Sequence, residues 1–359
     1  MIGPRELATQ LLRDRRPPKP PPFAELQPRL PYPDGWFAVA FADELSPGRV
    51  LRRRFMGEDL VVYRTRSGLV RVVDPYCPHL GAHLGHGGRV EGEEIVCPFH
   101  HFAFGVDGRC VRTGYGTRPP AAQLRQRAVQ EVNGAILVWH HAGGAPPTWE
   151  VAPQSTAGFP APFRYHATLV DHPQEIVENT VDTGHIAPLH GYRQARAVQP
   201  FRAHGPLFTI AVLVERALPL AGSIEILFDA VVHGLGHIWA TARIPRLGTA
   251  AVFQAMATPL DPVHVQIRFS AALRVGGGAA NTRSQLLLSR LLTATLGPAF
   301  RWDLAQDFPV WQHKIYLDQP RLAKGDGPIA AYRHWARQFY SQPAATNGRP
   351  EPARLNAGR

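Results

Sequence analysis

The chain has 359 residues, enough for two domains and a sizeable core, and its 45% hydrophobic and 19% charged content excludes disorder throughout. Three cysteines are too few to staple a secreted scaffold of this size, so a disulfide framework is excluded and a reducing, cytoplasmic setting is expected. The net charge of +11 invites a nucleic-acid reading, but no block concentrates it, and only Lys19, Lys314 and Lys324 among the 39 basic residues are lysines.

Taken in order, residues 1–35 form a proline-rich arm, where P-P-K-P-P-P at 17–22 favours extended backbone over packing. The opening M-I-G-P-R-E-L lacks the basic-then-apolar text of a signal peptide. β-Rich runs at 36–41, 59–64, 69–74 and 135–140, separated by glycine turns, predict a small all-β domain over 36–150 that closes in the turn-rich stretch 141–148. A second domain over 151–341 reads as α+β, opening with a strand at 164–170 and a mostly helical segment at 173–190. Alternating runs at 207–214, 224–232, 238–244, 250–257 and 263–272 predict one antiparallel sheet. Helical periodicity returns at 281–296, 302–317 and 329–339, and 342–359 is a polar tail. The leucine-rich stretch 286–300 is interrupted by Arg290, and no segment reaches the ~18 apolar residues of a membrane span.

Two cysteines fall in matched settings, D-P-Y-C-P-H-L-G-A-H-L-G at 74–85 and I-V-C-P-F-H-H-F at 95–102. Cys77, His79, Cys97 and His100 at these spacings arise by chance with odds on the order of 10⁻⁴. A structural zinc would take all four on one ion, whereas a Rieske [2Fe–2S] cluster gives both cysteines to one iron and both histidines to the other. Each loop supplies one residue of each kind, so the loops can face one another with like ligands adjacent, which favours the cluster. Pro78 and Pro98 stiffen the loops, and Gly81 and Gly85 permit close backbone approach. His83, His86 and His101 are off the ligand spacing and read as neighbours or surface residues, and Cys110 as a packed strand residue.

C-P-H-L-G-A-H-L-G-H-G-G followed by C-P-F-H resembles the Rieske domain of Rieske non-heme iron oxygenases, and in particular members of the 3-ketosteroid 9α-hydroxylase and cholesterol 7-desaturase type. Phe102 stands where many relatives have tryptophan. The resemblance runs from about Trp36 to Tyr340 and implies a Rieske domain followed by a helix-grip, START-like catalytic domain with a large apolar cavity, assembled as a head-to-tail homotrimer.

E-N-T-V-D-T-G-H-I-A-P-L-H at 178–190 supplies a second constellation. His185 and His190 are about 140° apart on an ideal helix, so distortion at Gly184 and Pro188 is expected if both reach one ion. Two histidines and one carboxylate with open positions suit a mononuclear non-heme Fe(II). In the oxygenases this sequence resembles, the aspartate at the position of Asp182 bridges electron transfer between subunits, and Asn179 belongs to the same pattern. The third ligand is assigned to Asp307, because Q-D-F-P-V-W-Q-H-K at 306–314 is similar to a segment of steroid-hydroxylating members whose aspartate ligates iron; Lys314 completes that pattern, and Asp303 is the alternative. Pro309 departs from it and is expected to bend the helix beside the ligand.

No G-x-G-x-x-G follows a strand and opens a helix, so electrons are expected from a separate ferredoxin or NAD(P)H-dependent reductase, with Arg52, Arg53 and Arg54 as the docking site. The expected activity is O₂-dependent hydroxylation or desaturation of a small hydrophobic, sterol-like substrate. Action on an aromatic amine or methyl ether is one alternative; an electron-transfer protein is another, but it gives no reason for His185 and His190.

Overall fold

The computed structural model describes residues 30–218, 222–276 and 282–341, so most of the proline-rich arm and the tail from 342 lie outside the described residues. The first domain consists of short strands: β1 (Gly35–Phe41), β2 (Val50–Phe55), β3 (Glu58–Arg64), β4 (Val70–Val73), β5 (Arg89–Glu91), β6 (Glu94–Val96), β7 (Ala103–Phe104), β8 (Cys110–Arg112), β9 (Gln126–Arg127), β10 (Val129–Val132) and β11 (Ala135–His140). They form three antiparallel sheets, ordered β1-β11-β10, β2-β3-β4-β9 and β5-β6-β7-β8. β1 is an unbroken apolar run, G-W-F-A-V-A-F, and is buried on both faces because it lies between its own domain and the second.

The second domain opens with β12 (Phe163–Val170) and two short helices, α1 (Pro173–Glu178) and α2 (Ile186–His190). The sheet continues with β13 (Gln194–His204), β14 (Leu207–Leu218), β15 (Gly222–His233), β16 (His237–Ile244), β17 (Thr249–Pro259) and β18 (His264–Val275). These seven strands pair in the order β12-β18-β17-β16-β15-β14-β13. The helices α3 (Arg283–Ala305), α4 (Phe308–His313) and α5 (Ile329–Ala336) follow. A capping box at Thr282 and Gln285 starts α3, which lies along β18 with Ser289 and Thr293 accepting backbone hydrogen bonds from Val275 and Leu273. The architecture is the expected one, an all-β domain followed by an antiparallel sheet gripping a long helix.

Three local expectations change. Residues 173–190 are not one helix: α1 stops at Glu178, and turns and bends intervene before α2. The 302–317 run is likewise split, since α3 continues to Ala305 and α4 begins at Phe308. Pro309 therefore sits in the first turn of α4, where no intrahelical N–H is required, and costs no hydrogen bond. β13 goes unread in the sequence because Q-A-R-A-V-Q-P-F-R-A-H lacks apolar alternation; it is a mostly exposed edge strand with irregular register.

The domains share a tight seam. A bulge between Ala38 and Ala40 turns the carbonyls of β1 toward β17 and β18, and the buried Arg268 donates to Ala38 O at 2.9 Å and Val39 O at 2.6 Å. Thr258 Oγ1 donates to Ala38 O at 2.7 Å. At Gly236 a Cβ would lie 2.2 Å from Trp36 O, so only glycine fits.

Candidate functional site

Two loops of the first domain carry the cysteines and histidines, one after β4 and one after β6. Both close with the same bond: Cys77 N–H donates to Ala82 O and Cys97 N–H to Phe102 O, each at 2.8 Å. Gly81 takes φ 76° to complete the first turn. Both sulfurs are buried, and burial above all, with Cys97 beside it, pushes the Cys77 thiol up to about 11. The His79 and His100 rings lie 4.8 Å apart, so the loops set cysteine by cysteine and histidine by histidine, the pairing a two-iron cluster needs and a single tetrahedral ion does not.

Phe102 stacks on His79 with centroids 4.2 Å apart and planes 6° apart. A third segment, not apparent from the sequence, completes the pocket: Gly114 N–H donates to His100 O at 3.1 Å, and Tyr115 stands 6.0 Å from the His100 ring. The other histidines are neighbours, as expected. His83 contacts Asp59, His86 contacts Arg52, and His101 is exposed with φ 54°. Cys110 is half-buried in β8.

In the second domain, the donor atoms of His185, His190 and Asp307 all lie within 4.8 Å of one another. His185 immediately precedes α2 and His190 ends it, with ordinary helical bonds from Leu189 N to His185 O and Gly191 N to Ala187 O. The expected distortion is absent; the side chains themselves curl inward, bringing the rings to 5.2 Å. Asp307, the residue before α4, is buried, and the Nε2 atoms of His185 and His190 stand 3.9 and 3.5 Å from its Oδ1.

Two of the three ligand candidates, Asp307 and His185, are held from behind by hydrogen bonds. Asn179 Nδ2 donates to Asp307 Oδ1 at 2.9 Å. The His185 Nδ1 hydrogen goes to Asp182 O at 2.6 Å, with the Asp182 carboxylate 3.6 Å from the same nitrogen. Burial alone would raise the Asp182 carboxyl, but hydrogen bonds and charge from His185 and the N–H groups of His185 and Gly184 outweigh it and hold it below its ordinary value. Asp303 is not among the converging donors. It faces His190 on the opposite nitrogen, Nδ1, at 3.8 Å, accepts from Tyr192 Oη at 3.4 Å, and burial holds its carboxyl above the ordinary value.

Ile176, Ile238, Ala255, Ile267, Leu304 and Trp311 line a cavity of about 220 Å³ against His185 and Asp307. This is smaller than the large cavity expected. In the Arg52–Arg54 cluster, Arg52 and Arg54 share Asp59 and Arg53 pairs with Glu44, so the three arginines outnumber their carboxylates and Arg52 and Arg54 stay half exposed.

Two facing cysteine–histidine loops in a β domain, joined to a sheet-and-helix domain that gathers two histidines and a carboxylate, define a two-centre redox protein. Comparison agrees: residues 35–125 match the Rieske [2Fe-2S] domain, and residues 138–340 match the 3-Ketosteroid 9alpha-hydroxylase C-terminal domain. The chain belongs to the Rieske oxygenases with a 3-ketosteroid 9α-hydroxylase-type C-terminal domain, and is an oxidoreductase whose cofactors are a Rieske [2Fe–2S] cluster and a mononuclear non-heme iron. It is 32% identical over 340 residues to cholesterol 7-desaturase nvd of Xenopus laevis, covering 86% of this chain and 72% of that one. It is 28% identical to the 3-ketosteroid-9-alpha-monooxygenase oxygenase component of Rhodococcus rhodochrous, covering 85% and 83%. Among solved structures, dicamba monooxygenase bound to dicamba superposes with a TM-score of 0.66 at 17% identity, over 85% of this chain and 96% of that one.

Proposed function

We propose that the chain is the terminal oxygenase of a multicomponent system, using O₂ and electrons from a separate ferredoxin or NAD(P)H-dependent reductase to hydroxylate or desaturate a hydrophobic, sterol-like substrate. Residues 36–150 form the cluster half, with Cys77, His79, Cys97 and His100 as ligands, and 151–341 the iron half, with His185, His190 and Asp307. The observation that carries this reading is the convergence of two imidazoles and a buried carboxylate beside an apolar cavity. An electron carrier has no use for it. Relatives named as a sterol desaturase and a steroid monooxygenase support the substrate class.

When bound, the cluster supplies single electrons and the iron supplies a site for O₂ activation. The chain's own residues do the positioning. Asn179 holds the Asp307 carboxylate, Asp182 fixes the His185 tautomer, and Ile238, Ile267 and Leu304 exclude water from the substrate side. Asp182, partly exposed, is the contact point for a neighbouring copy in a head-to-tail trimer. The exposed Tyr76, Leu80, Phe99 and Tyr115 form an apolar collar around the cysteine–histidine loops, suited to being covered by that neighbour.

The test is His185→Ala with a surrogate reductase. It should keep Rieske absorption and lose both mononuclear iron and product; a variant that loses neither refutes the assignment. Product mass across steroids, aromatic amines and methyl ethers then separates a gain of one oxygen from a loss of two hydrogens.

A further inference from the structure

α3 turns Ser289, Thr293 and Gly297 inward and leaves Leu287, Leu288 and Leu291 outward, at 62%, 44% and 59% exposure. From Arg283 to Trp302 the helix has no acidic residue, while Arg283 and Arg290 are exposed beside the leucines. The loop between β16 and β17 reaches the same end of the molecule. Gly276 N–H donates to Gly248 O at 2.9 Å, and the Gln285 side chain lies against Gly276, which brings exposed Arg246 and Leu247 next to the first turns of α3.

Single exposed leucines are ordinary, but four at one end edged by three arginines and no carboxylate from either segment make a surface with a defined chemistry. We infer that this end is a docking surface for an anionic lipid bilayer, the leucines entering the headgroup–acyl boundary and Arg246, Arg283 and Arg290 meeting lipid phosphates. The helix would lie in the surface, since among the described residues no helix is long and apolar enough to cross a membrane. A two-fold contact of this surface with itself suits it poorly. Such a contact would press arginines against arginines with no carboxylate between Arg283 and Trp302 or in the loop to pair them, and burying unpaired guanidinium groups is costly.

The inference is independent of the proposed reaction, because its test needs neither substrate nor turnover. The full chain is sedimented with vesicles of phosphatidylcholine alone or with about one-third phosphatidylglycerol, at low and physiological salt. Retention by the anionic vesicles is expected, weakening with salt. The double variant Leu287→Ser/Leu291→Ser should bind at least ~10-fold more weakly with its Rieske absorption unchanged, and Arg283→Gln/Arg290→Gln should lose the preference for anionic lipid. The inference is overturned if anionic vesicles retain no protein or if the leucine variant binds as well as the parent. It is equally overturned if sedimentation velocity without vesicles shows the leucine variant losing a self-assembled state.

Discussion

A carbonyl oxygen can only accept, so the short contact between Asp182 O and His185 Nδ1 places a hydrogen on that nitrogen, and in the neutral ring it is the Nε2 lone pair that faces Asp307. A lone pair and a carboxylate repel unless a cation or proton lies between them, which is why the arrangement fits a metal. Asn179 offsets part of that repulsion by donating to the same carboxylate oxygen. Removing it with Asn179→Ala takes away a hydrogen bond to a charged group, worth about 1.5–3 kcal/mol. Iron retention under chelator challenge should fall by about 10- to 100-fold while Rieske absorption is unchanged. The cavity makes a second residue-level prediction: Leu304→Trp should fill it and reduce product formation without removing iron, measured as turnover against iron content.

At the scale of elements, α1 and α4 run antiparallel and are tied at both ends. Asn179 at the end of α1 meets Asp307 at the start of α4, and Glu175 in α1 meets Lys314 Nζ, just past α4, at 2.9 Å. A bidentate pair from Arg333 to Glu178, at 2.6 and 2.9 Å, adds α5 to the same lashing. Lys314→Met would strand the buried Glu175 carboxylate and should destabilise the protein by about 3 kcal/mol, read as a lower Tm, whereas Lys314→Arg should cost less. Asp171 lies beside this pair, and burial first, then the Glu175 charge, raises its carboxyl well above the ordinary value. A raised folded-state pKa means the folded chain holds the proton more tightly. The stability this adds is complete below the ordinary carboxylate range and is lost as pH climbs through the raised value. Asp171→Asn should therefore raise Tm at neutral and alkaline pH and flatten its pH dependence.

For the whole molecule, the decisive contact is the seam between domains. Arg268 is 4% exposed and joins β18 to two carbonyls of β1, so Arg268→Met removes two interdomain hydrogen bonds, worth about 2–3 kcal/mol together. Gly236→Ala places a methyl group against Trp36 O and the Phe37 ring. Either change should split one cooperative unfolding transition into two in calorimetry, with the Rieske absorption following only one of them. A single unchanged transition would show that the domains are coupled elsewhere.

Sequence by itself determined the features whose partners are close along the chain. Cys77 with His79, Cys97 with His100, and His185 with His190 are readable because the residues of each pair share one short segment, and the period-2 runs of β14 to β18 show their buried face directly. Asp307 was within reach only through the resemblance of its flanking segment, since nothing local separates it from Asp303. Tertiary structure alone decided which nitrogen of His190 each aspartate faces, because Tyr192 and Asn179 select their carboxylates from more than 100 residues away. It also decided where the two helical runs break, how much cavity remains beside the site, and that Arg52, Arg53 and Arg54 share two carboxylates. Each of these depends on which distant side chains fill or face the same space, and residue spacing along the chain does not encode that.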